Sequence, residues 1–134
     1  MIYLVDTNTC IYFLNGKYRS IYEKFLSVSP SEIKISVIVK AELLLGAYKS
    51  QARKQTLKKV ERFLDPFEII DFTDAMTPVY AEIRSGLELA GKKIGANDLL
   101  IAATAKYLGA RLVSHNVGEF SRVKGLKVVD WVKA

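Results

Sequence analysis

Three acidic residues stand in sequence that otherwise belongs in a protein interior. Asp6 ends the run Ile2-Tyr3-Leu4-Val5, Glu42 separates Ile38-Val39-Lys40-Ala41 from Leu43-Leu44-Leu45, and Asp98 opens Leu99-Leu100-Ile101-Ala102-Ala103. An ionised carboxylate is costly to bury unless it is paired or binds a metal. Carboxylates brought together repel one another, and a divalent cation is the natural remedy. A metal site is therefore the leading reading. Each acid also has an ordinary role open to it. Asp6 suits the N-cap of a following helix, although Thr7 or Thr9 could cap instead and leave Asp6 free. Asp98 at a helix start is favoured by the macrodipole, yet it shares a face with Ala102 and Ala105, where small side chains permit close approach. Lys40 and Glu42 are the only charges between Val37 and Tyr48. At about 100° per residue they point roughly 200° apart, so they cannot share one solvated stripe. Lys40 can snorkel outward. Glu42, on the side of Ile38 and Leu45, is expected to face a cleft.

A fourth polar group lies in Ser114-His115-Asn116-Val117-Gly118-Glu119-Phe120. Ser114 and Asn116 offer neutral oxygens that can orient a carboxylate or a water. Glu119 either adds charge or caps a turn, and Thr7 supports Asp6 from the next position. His115 reads as incidental, since hard-metal sites prefer oxygen ligands. The chain has one His and one Cys, which excludes a tetrahedral Cys/His zinc site, and it lacks both GxxxxGK[ST] and GxSxG.

These residues need elements to hold them. Residues 2–5 read as a buried strand, followed by a helix through Leu14 that stops at Asn15-Gly16. Arg19 to Ser27 reads as a helix and Ile33 to Ser36 as a strand. Val37 to Lys49, capped by Ser36, and Arg53 to Leu64 read as helices. Phe67 to Phe72 reads as a strand and Ala75 to Leu89 as an amphipathic helix. Lys92 to Ala96 is a loop. Asn97 to Leu108 is a helix apolar almost all round. Arg111 to Ser114 and Lys127 to Trp131 are strands joined by a loop. Alternation of this kind implies an α/β fold, a mostly parallel twisted sheet of about five strands with helices on both faces. Ligands of such sheets bind beyond the carboxyl ends of the strands, where Asp6 and Ser114 fall.

With 134 residues, 3 prolines and no linker or repeat, the chain reads as a single domain over 1–134. The lone Cys10 cannot form an internal disulfide, and no stretch approaches a membrane span, so a cytoplasmic location is expected. The net charge of +6, from 20 Lys+Arg against 14 Asp+Glu, favours polyanionic partners.

Several segments together resemble PIN-domain ribonucleases. Val5-Asp6-Thr7-Asn8 is similar to the family's opening. The segment from Ser36 to Gly46 is similar to its second-acid helix, and Gly95 to Ala103 to its third-acid segment. The tail from Asn116 to Leu126, followed by Asp130-Trp131, resembles the VapC toxin branch. The resemblance covers essentially the whole chain. It implies a PIN-like domain and a Mg²⁺- or Mn²⁺-dependent endoribonuclease acting on structured RNA such as tRNA or an rRNA loop. It also implies a homodimer inhibited by a cognate antitoxin, either alone or within a higher-order toxin–antitoxin complex. Asp6, Glu42 and Asp98 carry over as the catalytic, metal-binding triad. Asn116 departs from the pattern, where many relatives carry aspartate. Attack by water would leave a 5′-phosphate and a 3′-hydroxyl. Arg84, Lys49, Arg53, Lys54 and Lys92 are candidate contacts to the RNA backbone, each also readable as a solvated cation; for Arg84 the plain alternative is an i, i+4 ion pair with Glu88. Two other functions stay open: a catalytically weak RNA- or protein-binding module of the same fold, and a phosphotransferase with Asp6 as nucleophile.

Overall fold

The computed structural model describes residues 1–133, leaving Ala134 outside the described residues. Five strands form one sheet: β1 (Tyr3–Val5), β2 (Ile33–Ser36), β3 (Glu68–Ile70), β4 (Arg111–Val113) and β5 (Lys127–Val129). Their order across the sheet is β3-β2-β1-β4-β5, and every neighbouring pair is parallel. The helices are α1 (Thr7–Asn15), α2 (Arg19–Ser27), α3 (Val37–Lys49), α4 (Arg53–Leu64), α5 (Thr77–Leu89), α6 (Ala96–Leu108) and α7 (Val117–Phe120).

Leu4, Val5, Ile33, Ile35, Leu112 and Val113 are fully buried, the pattern of strands covered on both faces. From β1 the chain moves outward through β2 to β3, then crosses back to β4 on the other flank of β1. Right-handed crossovers put the helices before and after that reversal on opposite faces. The reversal opens a crevice between the carboxyl ends of β1 and β4, the place where ligands of such sheets bind. The backbone N–H of Asp6 donates to Val113 O at 3.0 Å, and that of Ser114 to Val129 O at 2.9 Å. Both residues are thereby fixed at the same end of the sheet.

The local signals behaved as their chemistry dictates. Ser36 caps α3, its hydroxyl accepting from Ile38 N at 3.0 Å. Gly16 and Gly109 end α1 and α6 at φ of 63° and 64°, a left-handed geometry that glycine adopts without strain. Three boundaries differ from expectation. The helix expected from Ala75 begins at Thr77, after a 3-10 turn over Asp74–Met76. Pro78 has no N–H to donate and is tolerated in the first helical turn, which fixes that start. The final strand stops at Val129 rather than Trp131, because Asp130 turns the chain by accepting from Val132 N at 2.9 Å. The connection between the last two strands, expected as a loop, contains α7. Among the described residues no helix is long and apolar enough to cross a membrane.

Candidate active site

Asp6, Glu42 and Asp98 meet. They line one cleft of about 190 Å³ together with Thr7, Asn8, Asn116 and Phe120. Three elements deliver the acids: the β1–α1 junction, the second turn of α3 and the first turn of α6.

Asp6 is both cap and cleft residue. Its Oδ1 accepts from Thr9 N at 2.9 Å, so neither threonine replaces it as the cap of α1. Thr7 does not brace Asp6, as its position suggested. Its hydroxyl donates instead to Glu42 Oε1 and ties α1 to α3. Glu42 is half-buried. The packed side expected for it does not extend to Leu45, which is 58% exposed. On a helix with one buried stripe, here Val39, Leu43 and Ala47, a residue three positions from Glu42 already lies beyond the groove.

Burial dominates the electrostatics. Asp6 is only 5% exposed. Desolvation raises its pKa, the Ser114 hydroxyl and the Thr9 contacts lower it, and the Glu42 charge raises it again. Asp98 is pushed up to about 6, first by desolvation and then by the charges of Glu119, Asp6 and Glu42. Two of the three acids are therefore held against ionisation by burial and by one another.

A polar chain links the remaining site residues. Ser114 Oγ accepts from Asn116 N at 3.0 Å. Asn116 Nδ2 donates to Glu119 Oε2 at 2.7 Å, and Glu119 Oε1 accepts from Gly95 N at 3.2 Å, just before α6. Glu119 is thus a strut that positions the α6 N-terminus, and with it Asp98. We expect Glu119→Gln to lower the Asp98 titration midpoint, read by carboxyl ¹³C NMR. The shift will be partial, because desolvation is the larger cause.

Other residues fall elsewhere. Lys49, Arg53 and Lys54 lie where α3 ends and α4 begins, outside the cleft. Arg53 donates twice to Tyr48 O and lies over the Tyr48 ring. Arg84 pairs with Glu88 at 2.9 Å and donates to Tyr80 Oη. With Lys93 it lines a recess of about 140 Å³. Lys92 lines a larger pocket. Two cleft residues, Asn8 and Phe120, escaped the sequence reading. The polar string Asp6-Thr7-Asn8-Thr9 carried a signal for Asn8; Phe120 read only as core. His115 is not idle: its Nδ1 lies 3.0 Å from Asp130 Oδ2, beside the Tyr12 and Tyr18 rings.

A parallel five-stranded α/β sheet carrying acids at its switch point is the arrangement of a nuclease-type PIN fold. The PIN domain family model matches residues 3–126, and the chain belongs to this family. Within it, the chain is 43% identical over 134 residues to Ribonuclease VapC2 of Rickettsia felis, covering 99% of this chain and 100% of that one. It is 33% identical over 129 residues to the tRNA(fMet)-specific endonuclease VapC of Shigella flexneri, covering 96% and 97%. The crystal structure of VapBC2 from Rickettsia felis, bound to a DNA fragment from their promoter, superposes with a TM-score of 0.92 at 41% identity, covering 98% of this chain and 99% of that one.

Proposed function

We propose that this chain is an endoribonuclease that hydrolyses RNA phosphodiesters with a divalent cation, Mg²⁺ or Mn²⁺, and that a cognate antitoxin restrains it. The observation that carries the reading is the meeting of Asp6, Glu42 and Asp98 in one small polar cleft of a protein with net charge +6.

The donor set fits a hard cation. All three acids offer oxygen, and the pKa of Asp6 and of Asp98 is raised partly by neighbouring negative charge that a cation would offset. Among the described residues no three His, Cys, Asp or Glu side chains are gathered closely enough to enclose an ion by themselves. That suits Mg²⁺, which takes one or two carboxylates and keeps several waters. Asp6 and Asp98 would hold the ion, directly or through water, with Glu42 steadied by Thr7. Such an ion, when bound, supplies an acidified water and positive charge beside the phosphate. The protein's own part is positional. Thr9 and Ser114 fix Asp6, and Glu119 fixes the start of α6. Lys49, Arg53, Lys54, Arg84 and Lys92 give the surface around the site a positive field that gathers RNA.

An antitoxin partner is supported by the likeness to VapC proteins and by the VapBC2 assembly of the Rickettsia relative. A groove of about 380 Å³ lined by Ile11, Leu14, Leu43 and Val60 ends at Glu42 and offers a covering chain a route to the acids. Self-association into a homodimer belongs to the same reading, and sedimentation of the purified chain tests it.

The test of cleavage is direct. Purified protein is incubated with total RNA and Mg²⁺ or Mn²⁺, with and without EDTA, beside Asp6→Asn. Asparagine caps helices as well as aspartate does, so α1 survives the change. Metal-dependent cleavage giving 5′-phosphate ends is expected. The variant should lose several kcal/mol of transition-state stabilisation, about 10²- to 10⁴-fold in rate. Equal cleavage by parent and variant sinks the proposal. RNA that is bound but never cut assigns the chain to the binding-module class.

A further inference from the structure

The largest concavity of the molecule has no part in the chemistry above. It measures about 420 Å³ and lies between α5, α6 and the segment that follows α7. Ligand pockets typically span about 300–1,000 Å³. Its floor is apolar: Ile83, Leu87 and Val123 are each no more than 6% exposed. Its rim is cationic, with Lys92, Lys106, Arg122 and Lys124 standing against the single carboxylate of Glu82.

That carboxylate does little to quench the rim. Lys106 Nζ lies 3.8 Å from Glu82 Oε1, beyond hydrogen-bond distance, and the Glu82 side chain is 80% exposed. Exposed pairs of this kind contribute little and are screened by salt. Arg122 is held in place by donating to Lys93 O at 2.9 Å, a neutral acceptor that leaves its charge uncompensated. The rim thus presents several cations over an apolar floor, the combination used to hold a nucleic-acid strand without reading its groove edges.

The pocket also adjoins the acids. Lys92 is on its rim, Lys93, Ile94 and Ala96 line the next recess with Arg84, and Asp98 stands in the acidic cleft. Six residues of chain link Lys92 to Asp98, a reach of at most about 20 Å even fully extended. Cations at one end of this track and carboxylates at the other suit a strand whose phosphates must approach an acidic site.

We propose that the pocket between α5, α6 and the segment after α7 binds a nucleotide of the RNA substrate a short distance from the scissile bond, its phosphate on Lys92, Lys106 and Lys124 and its ribose and base over Ile83, Leu87 and Val123. The proposal rests on the ribonuclease reading and adds an anchoring subsite to it. An acidic peptide is the competing occupant. RNA is favoured because the track ends at the acids that would act on a phosphate.

The test measures binding in EDTA, apart from cleavage. A fluorescein-labelled 12-nucleotide single-stranded RNA of mixed A and U is titrated with the parent, with the triple variant Lys92→Gln/Lys106→Gln/Lys124→Gln, and with a charge-matched control, Lys24→Gln/Lys127→Gln/Lys133→Gln. Arg122 is left in place because it pins the Lys93 segment. Each lost phosphate contact should lower the log–log salt slope by about 0.7, so the pocket variant should lose about 2 in slope and about tenfold or more in affinity. The control should lose clearly less. Equal losses in the two variants, or unchanged binding in the pocket variant, overturn the proposal. So does equally tight competition by a poly-glutamate peptide. Lysine acetylation of the parent provides a reading that needs no variant: the 12-mer should protect Lys106 and Lys124, and absence of protection is equally fatal. If the parent cuts no RNA with Mg²⁺ but the binding pattern holds, the cleavage reading fails alone.

Discussion

Asp98→Asn should abolish cleavage and, in the absence of metal, make the protein more stable. The activity loss follows from removing one of the three acids at the cleft, worth several kcal/mol at a metal-assisted centre, about 10²- to 10⁴-fold. The stability gain follows from linkage. The Asp98 pKa is raised from 3.8 to about 6, with desolvation first among the causes. A carboxyl whose folded pKa lies above its unfolded value binds its proton more tightly in the native state. Its ionisation therefore costs the fold stability, and the cost grows as pH rises from about 4 through 6. Asparagine carries no such cost. In EDTA the variant should melt above the parent at pH 7.5, and the gap should close as pH falls towards 4. Adding Mg²⁺ should raise the melting temperature of the parent and leave the variant nearly unmoved, since only a ligand bound to the native state stabilises it. A variant that melts lower than the parent at pH 7.5 in EDTA would show that Asp98 is held by contacts its charge needs.

That pairing of lost activity with gained stability is the mark of a site that violates the rules the rest of the chain obeys. The same conflict made the acids visible in the sequence. Asp6, Glu42 and Asp98 each broke an apolar run, and a broken pattern is local information. The strands and caps were legible for the opposite reason: Leu4-Val5, Ile33 to Ser36 and Leu112-Val113 agree with their surroundings at every level. What the sequence concealed depends on contacts between distant residues. Glu119 reaches Gly95 across 24 positions, and His115 reaches Asp130 across 15. No spacing rule pairs them. Leu45 read as packed because leucine favours burial, but the groove walls end before it and leave it 58% exposed. The cationic pocket was hidden in the same way. Lys92, Lys106 and Lys124 come from three separate segments and read singly as solvated charges.

Leu112→Ala should be the most damaging single change away from the acids, and its damage should fall on stability rather than chemistry. Leu112 is fully buried in β4, in register with Leu4 of β1 on one side and Val128 of β5 on the other. Truncation to alanine at such a position costs about 2–5 kcal/mol, because close-packed neighbours relax only partly into the void. Against a total stability of about 5–15 kcal/mol, that is a large fraction, and urea denaturation should show it as a lower midpoint with an unchanged slope. The cleft should survive in the molecules that stay folded. The backbone bonds that set it, Asp6 N to Val113 O and Ser114 N to Val129 O, do not involve the Leu112 side chain. Cleavage assayed at 15 °C should therefore stay within a few-fold of the parent and collapse only on warming. If Leu112→Ala instead lost cleavage at a temperature where it remained folded, the sheet would be tuning the acid geometry and not merely supporting it. Asp98→Asn and Leu112→Ala thus move stability in opposite directions while affecting catalysis in the reverse order. Together they separate the part of the chain that builds the switch-point crevice from the part that makes it reactive.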